Sequence, residues 1–157
     1  MEIRLAEKED FDSLINLFRT IDDLHRQNHP ERFRLPAWYE DNKKAFLEEV
    51  MKDNEQVLMV ADKKGHLQGF VHGRISRSPD TPIFVPRKFA VLENIFVDPK
   101  SRKKGVGRQL IESFQEWARE EEAEEIELNV FEFNESARAF FGKMGFDNIS
   151  RRMTKKA

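Results

Sequence analysis

From Val97 to Arg108 the chain reads Val-Asp-Pro-Lys-Ser-Arg-Lys-Lys-Gly-Val-Gly-Arg, with five basic residues and no acid from Lys100 onward. Residues of this kind bind a polyanion. Gly105 and Gly107 let the backbone turn tightly and approach a ligand closely. The apolar periodicity that follows marks a helix, whose first N–H groups point outward with the positive end of the helix dipole. A diphosphate or ribose phosphate fits such a cradle. The alternative is a solvated basic turn, since two glycines one residue apart are common. Other phosphate motifs do not fit: the third glycine of a dinucleotide fingerprint would fall on Leu110, and no G-x-x-x-x-G-K-[ST] occurs.

Several further residues could do chemistry. His25 and His29 are four apart, the spacing of a helical metal pair. Arg26 stands where a zinc-protease motif needs glutamate, and no third ligand is evident, so no metal site is expected. The reading for His25, His29, Glu31 and Phe33 is instead a helix end, before and after Pro30, that lines a substrate side. His66 and His72 show no partner. The run from Glu120 to Glu127 reads as a solvated helix end that could attract a cation. The chain has no cysteine, which excludes disulfides, thiolate metal sites and a thiol nucleophile.

The elements that position these groups follow from periodicity. A strand is expected over residues 2–6, and Phe11, Leu14, Ile15, Phe18 and Ile21 recur at helical spacing behind the cap Glu9-Asp10. After a proline-containing break a second helix spans Trp38 to Met51. Val57–Ala61 and Leu67–Ile75 flank the turn signal Asp62-Lys63-Lys64-Gly65, which predicts a hairpin. Prolines 79, 82 and 86 predict a loop before a strand from Phe89 to Val97. Val106, Leu110, Ile111, Phe114, Trp117 and Ala118 form one face of a helix. Ile126, Leu128 and Val130 alternate as a strand, Ser136–Met144 reads as a helix stopped by Gly145, and a last strand is expected over Phe146–Met153. This order defines an α+β fold, a mixed and mostly antiparallel sheet flanked by helices, in a single domain over residues 1–157.

The 157 residues carry a net charge of −2, with 39% apolar and 36% charged residues. Fourteen phenylalanines supply a core, so disorder is excluded. The charge gives no general attraction to nucleic acid or membrane, and the basic patch is short and lacks interleaved aromatics. The start, Met1-Glu2-Ile3-Arg4-Leu5, has no apolar leader, and the longest apolar run is about five residues, so the expectation is a cytoplasmic protein. The sequons at Asn134 and Asn148 are accordingly read as chance matches.

One combination is more specific. Arg102-x-x-Gly105-x-Gly107, preceded by Leu92-Glu93-Asn94-Ile95-Phe96-Val97 and followed by Asn134-x-x-Ala137-x-x-Phe140-Phe141-x-x-x-Gly145-Phe146, resembles the GNAT (GCN5-related N-acetyltransferase) superfamily. The resemblance covers residues 88–153 closely. It implies an enzyme that moves an acetyl group from acetyl-CoA to a primary amine of a small molecule or peptide; a non-catalytic acyl-CoA-binding module is the alternative. It implies that Arg102, Lys103, Lys104, Gly105, Val106, Gly107 and Arg108 hold the coenzyme A pyrophosphate. Ile95, Phe96 and Val97 would bond the pantetheine arm as an added strand would, one main-chain N–H polarising the thioester carbonyl. Asn134 would contact the same arm, or cap the helix that follows.

An amine of pKa about 10.4 must lose a proton before it attacks, and Glu93 matches the glutamate assigned as base in similar polyamine acetyltransferases. The other reading of Glu93 is a surface or acceptor-binding carboxylate. Phe141 falls among the residues that the resemblance places against the cofactor, but it departs from the pattern, because the family commonly has a tyrosine there to protonate the leaving thiolate. Three possibilities follow: transfer without a general acid, another donor such as Tyr39, or binding without turnover. With no cysteine, the simplest scheme is direct attack in a ternary complex. The acceptor would be set by residues 23–36 and 77–88, and polyamine, aminoglycoside, amino acid and protein N-terminus all stay open. A homodimer is compatible with the resemblance.

Overall fold

The computed structural model describes residues 1–157. Five strands run in spatial order β1 (Glu2–Leu5), β2 (Gln56–Lys63), β3 (His66–Arg77), β4 (Lys88–Val97) and β5 (Ile126–Leu128). The first four pair antiparallel, and β5 lies parallel to β4. Helices α1 (Phe11–Asn28) and α2 (Tyr39–Lys52) connect β1 to β2, while α3 (Val106–Glu120) is the crossover from β4 to β5. The short helix α4 (Glu135–Lys143) follows β5. The fold is the mixed, mostly antiparallel α+β sheet that the residue pattern predicts.

Each face of the sheet has its own core. On one side Leu14 and Phe18 of α1 and Leu47 of α2 pack on Leu58, Val60, Phe70 and Phe96. On the other, Leu110, Ile111 and Phe114 of α3 pack on Ala61, Val71, Ala90 and Leu92. Neighbours such as Val60 and Ala61, or Phe70 and Val71, go to opposite cores, so central strands covered on both faces read as continuous apolar runs. Gly73 is required by packing: a Cβ there would lie 2.4 Å from the Phe114 ring and 2.6 Å from the Val91 carbonyl oxygen.

β4 changes phase in its middle. His72 pairs with Asn94 and Gly73 with Leu92, so Glu93 is the extra residue of a bulge. Before it Ala90 and Leu92 face α3; beyond it Ile95 and Val97 pack on that core, while Phe96 turns to the α1 side. One inserted residue exchanges the two faces of the strand.

The termini of several elements differ from expectation. β3 runs to Arg77, and β5 is limited to Ile126–Leu128, leaving Val130 outside the ladder. The strand expected over Phe146–Met153 does not form. Past Phe146 the chain makes no backbone hydrogen bond, and Ile149 and Met153 are more than four-fifths exposed. Their spacing explains it: apolar residues at 146, 149 and 153 cannot share one face of a period-two strand. Asp10 does not cap α1 with its side chain; its carboxylate accepts from Arg4 at 2.7 and 2.9 Å and from the Glu7 N–H at 2.8 Å. Arg4 also donates to Asp62, which ties β1 to β2.

Candidate active site

β4 and β5 are paired only from Ala90–Ile126 to Leu92–Leu128. Beyond that point nothing pairs with the β5-facing edge of β4, so Glu93 to Val97 border an open cleft at the carboxyl ends of two parallel strands. The end of β4 leads into the basic loop, and the end of β5 leads into residues 129–134. These are the two banks of the cleft.

On the first bank Pro99–Ser101 forms a 3-10 turn begun by Asp98, and α3 starts at Val106 behind Gly105, whose φ of 83° is left-handed. The N–H groups from Lys103 to Arg108 donate to no backbone carbonyl. Six unsatisfied donors in succession beside a helix start suit an anion with several oxygens, so the residues present fit a pyrophosphate. The side chains divide. Arg102 turns back, its Nε donating to the Val97 carbonyl at 3.0 Å and its guanidinium lying over Phe96. Lys104 donates to the Lys100 carbonyl at 2.9 Å. Lys103 and Arg108 are exposed and in no ion pair. Val106 is buried in the core, so its contribution can come only from its backbone. Gly107 sits within the helix, where a Cβ would lie 3.2 Å from the Phe140 ring. Its smallness serves the packing of α4 on α3 as much as ligand approach.

Asn134 caps α4, its Oδ1 accepting from the Ala137 N–H at 3.2 Å. The capping role is thus observed, and the Asn134 Nδ2 remains unpartnered. Phe141 is buried, its ring packed against Phe140 and Phe146. Tyr39 is committed elsewhere. It is the chain's one tyrosine, it is buried between α1 and α2, and its hydroxyl donates to Asp22 at 2.5 Å. Burial, with Asp22 beside it, raises the phenol well above its ordinary pKa.

Glu93 projects from the bulge one residue past the last β4–β5 pair, and its carboxylate accepts from the Arg74 Nε at 2.5 Å. Behind it lies a group with no visible sequence signal. His72 is 3% exposed; its Nε2 lies 2.8 Å from Gln56 Oε1, its Nδ1 lies 3.3 Å from Asn94 Nδ2, and its ring meets Phe46 edge-on. The Gln56 oxygen only accepts and the Asn94 amide nitrogen only donates, an arrangement that suits a neutral ring with its proton on Nε2. Burial pushes its pKa down to about 4, against an opposing pull from Glu93.

His25 lies against Phe33, and His29 against Glu31. Two residues missing from the sequence expectation join them: Phe131 and Phe133, on the second bank. The alternation Phe131-Glu132-Phe133 after β5 was the signal available. The acidic run Glu120–Glu125 precedes β5, at the opposite end of the strand from the cleft, and Arg87 pairs with Glu125 and Glu127.

A sheet parted between parallel strands, with a run of free N–H groups and basic side chains at the end of one of them, suits a ligand that carries phosphate groups. The acetyltransferase (GNAT) family model matches residues 18–146, and the chain belongs to that family: it is an acetyl-CoA-dependent N-acetyltransferase. An uncharacterized N-acetyltransferase of Archaeoglobus fulgidus is 30% identical, over 90% of this chain and 89% of its own. The BH1408 protein of Bacillus halodurans, solved as a mutant, superposes with a TM-score of 0.89 at 22% identity, covering 100% of this chain and 99% of its own. The aminoglycoside N-acetyltransferase AAC(6')-Iy, solved with CoA, gives a TM-score of 0.79 at 22% identity over 99% of this chain and 93% of that one. No helix is long and apolar enough to cross a membrane.

Proposed function

We propose that the protein acetylates the primary amine of a small molecule by direct attack in a ternary complex, with Glu93 as the base. The observation that carries this reading is the place of Glu93: on the bulge, at the point where β4 and β5 part, projecting from the strand whose free edge follows. Acetyl-CoA supplies the acetyl thioester: the amine nitrogen bonds the carbonyl carbon, the C–S bond breaks, the amine gives up a proton and the thiolate gains one. The chain's own residues do the rest. The N–H groups of Lys103 to Arg108, with Lys103 and Arg108 around them, hold the pyrophosphate. The open edge of Ile95–Val97 gives the pantetheine arm main-chain partners, and Asn134 Nδ2 adds one from α4. One β4 N–H on that edge stabilises the charge that develops on the carbonyl oxygen.

Glu93 takes the amine proton directly or through one water, with Arg74 holding its carboxylate in place. Phe141 cannot donate a proton and Tyr39 is committed to Asp22, so the thiolate is protonated by water. A thiol of pKa about 8.5 leaves tolerably as an anion near neutrality. The test is thiol release from acetyl-CoA with a panel of amines, beside a calorimetric titration of CoA. Glu93→Gln is expected to lower turnover by about 10²–10⁴ near neutrality and by less at high pH. An unchanged pH–rate profile removes Glu93 from the role. CoA binding without release from any amine favours the acyl-CoA-binding alternative.

A further inference from the structure

The second bank of the cleft is a wall of rings. His25 stands at its centre, with ring centroids 5.4 Å from Phe33, 5.4 Å from Phe131 and 5.6 Å from Phe133. His29 adds contacts of 5.2 and 5.6 Å to Phe131 and Phe133. Three separate segments meet here: the last turns of α1, the loop after it, and the chain leaving β5. Both imidazoles are oriented by their Nδ1 atoms, that of His25 2.9 Å from the Ile21 carbonyl and that of His29 2.9 Å from the Glu31 carboxylate. A carbonyl and a carboxylate only accept, so each Nδ1 carries a proton and each Nε2 is left unpartnered. Despite this packing, Phe131 is 36% exposed and Phe33 and Phe133 are half-buried.

The carboxylates of this bank are paired with basic side chains. From Asp22 to Arg34 three acids face three bases. Asp22 pairs with Lys43, Asp23 with Arg26, Glu31 with Arg32, and Glu132 with Arg138. Glu93 itself is paired with Arg74. A polycation needs carboxylates that are not already neutralised, and the acidic run that could supply them lies at the far end of β5. Ring faces and edges instead favour another ring, in offset or edge-to-face contact.

We infer that the acceptor is an arylalkylamine, its ring seated on Phe33, Phe131 and Phe133 and its amine directed across the cleft to Glu93, rather than a polyamine or an aminoglycoside. This rests on the acetyl-transfer reading and narrows its substrate class. The two bear on different measurements.

Initial rates of acetylation are to be compared for 2-phenylethylamine, hexylamine, spermidine and kanamycin. Binding of 2-phenylethylamine to the CoA-bound protein is to be followed by ligand NMR in parallel. The expected result is a kcat/KM for 2-phenylethylamine at least about tenfold above the other three. The double variant Phe131→Ala/Phe133→Ala should raise its KM about tenfold or more while leaving CoA affinity unchanged. Hexylamine matching 2-phenylethylamine would overturn ring recognition, as would spermidine or kanamycin exceeding it. An unchanged KM in the double variant would overturn the placement. If no amine is acetylated, the transfer reading fails alone provided that 2-phenylethylamine binds and the double variant abolishes that binding. Absence of binding in the native protein overturns the inference.

Discussion

Lowering the pH from 7 to 5 works against His72, whose ring is buried in its neutral form. The buried ring resists protonation down to about pH 4, whereas in the unfolded chain it titrates near 6.5. A depressed histidine pKa contributes stability that is complete above the unfolded value and drains away as pH falls toward the folded one. Between pH 7 and pH 5 this linkage is worth roughly 2 kcal/mol, and well below pH 4 it reaches about 3 kcal/mol. The first window separates His72 from the depressed carboxylate of Asp10, which Arg4 holds ionised and which acts only below the ordinary carboxylate range. The charged groups around the ring are Glu93, which favours protonation, and Arg74 and Lys43, which oppose it.

The assay is urea unfolding at the two pH values for the native protein and His72→Gln. The variant is expected to be less stable at pH 7, because buried partners lose their bonds, but its further loss on going to pH 5 should be smaller by roughly 2 kcal/mol. Equal losses in the two proteins would refute the argument, and so would an NMR titration of His72 with a midpoint near 6.5.

Phe141→Tyr should leave turnover within about twofold, because water suffices to protonate a thiolate of this basicity; a gain of 10² or more would show that an acid is wanting at that position. Gly73→Ala should cost about 1–3 kcal/mol in denaturant unfolding, because the added methyl overlaps both a ring that α3 cannot easily move and the Val91 carbonyl; unchanged stability would mean that α3 shifts freely on the sheet.

The helices were legible because their apolar residues keep one period: Leu110, Ile111, Phe114 and Ala118 recur at helical spacing, and all four are buried. The cradle was legible because glycine and basic residues act there through local backbone. The ring wall was half legible. His25, His29, Glu31 and Phe33 are neighbours in sequence, whereas Phe131 and Phe133 reach them only through the crossover that brings β5 beside β4. The His72 network lay out of view for the same reason, since Gln56 and Asn94 are on the strands flanking β3. The expected last strand failed because an element count cannot supply the period-two pattern that residues 146–153 lack.

The parting of β4 from β5 also gives the molecule a strand edge in the interior of its own sheet. Edges elsewhere are shortened or charged to prevent pairing with another chain, and β1 and β5 are both short. The edge from Glu93 to Val97 is different: it ends in three apolar residues, Ile95 to Val97, and it is held on its other side by the antiparallel partner β3. On the proposed binding mode the pantetheine arm closes the sheet, so coenzyme A acts as a removable strand. On that mode, chains emptied of it would expose an edge able to pair with another chain, and bound coenzyme A would guard against self-association as well as supply the chemistry.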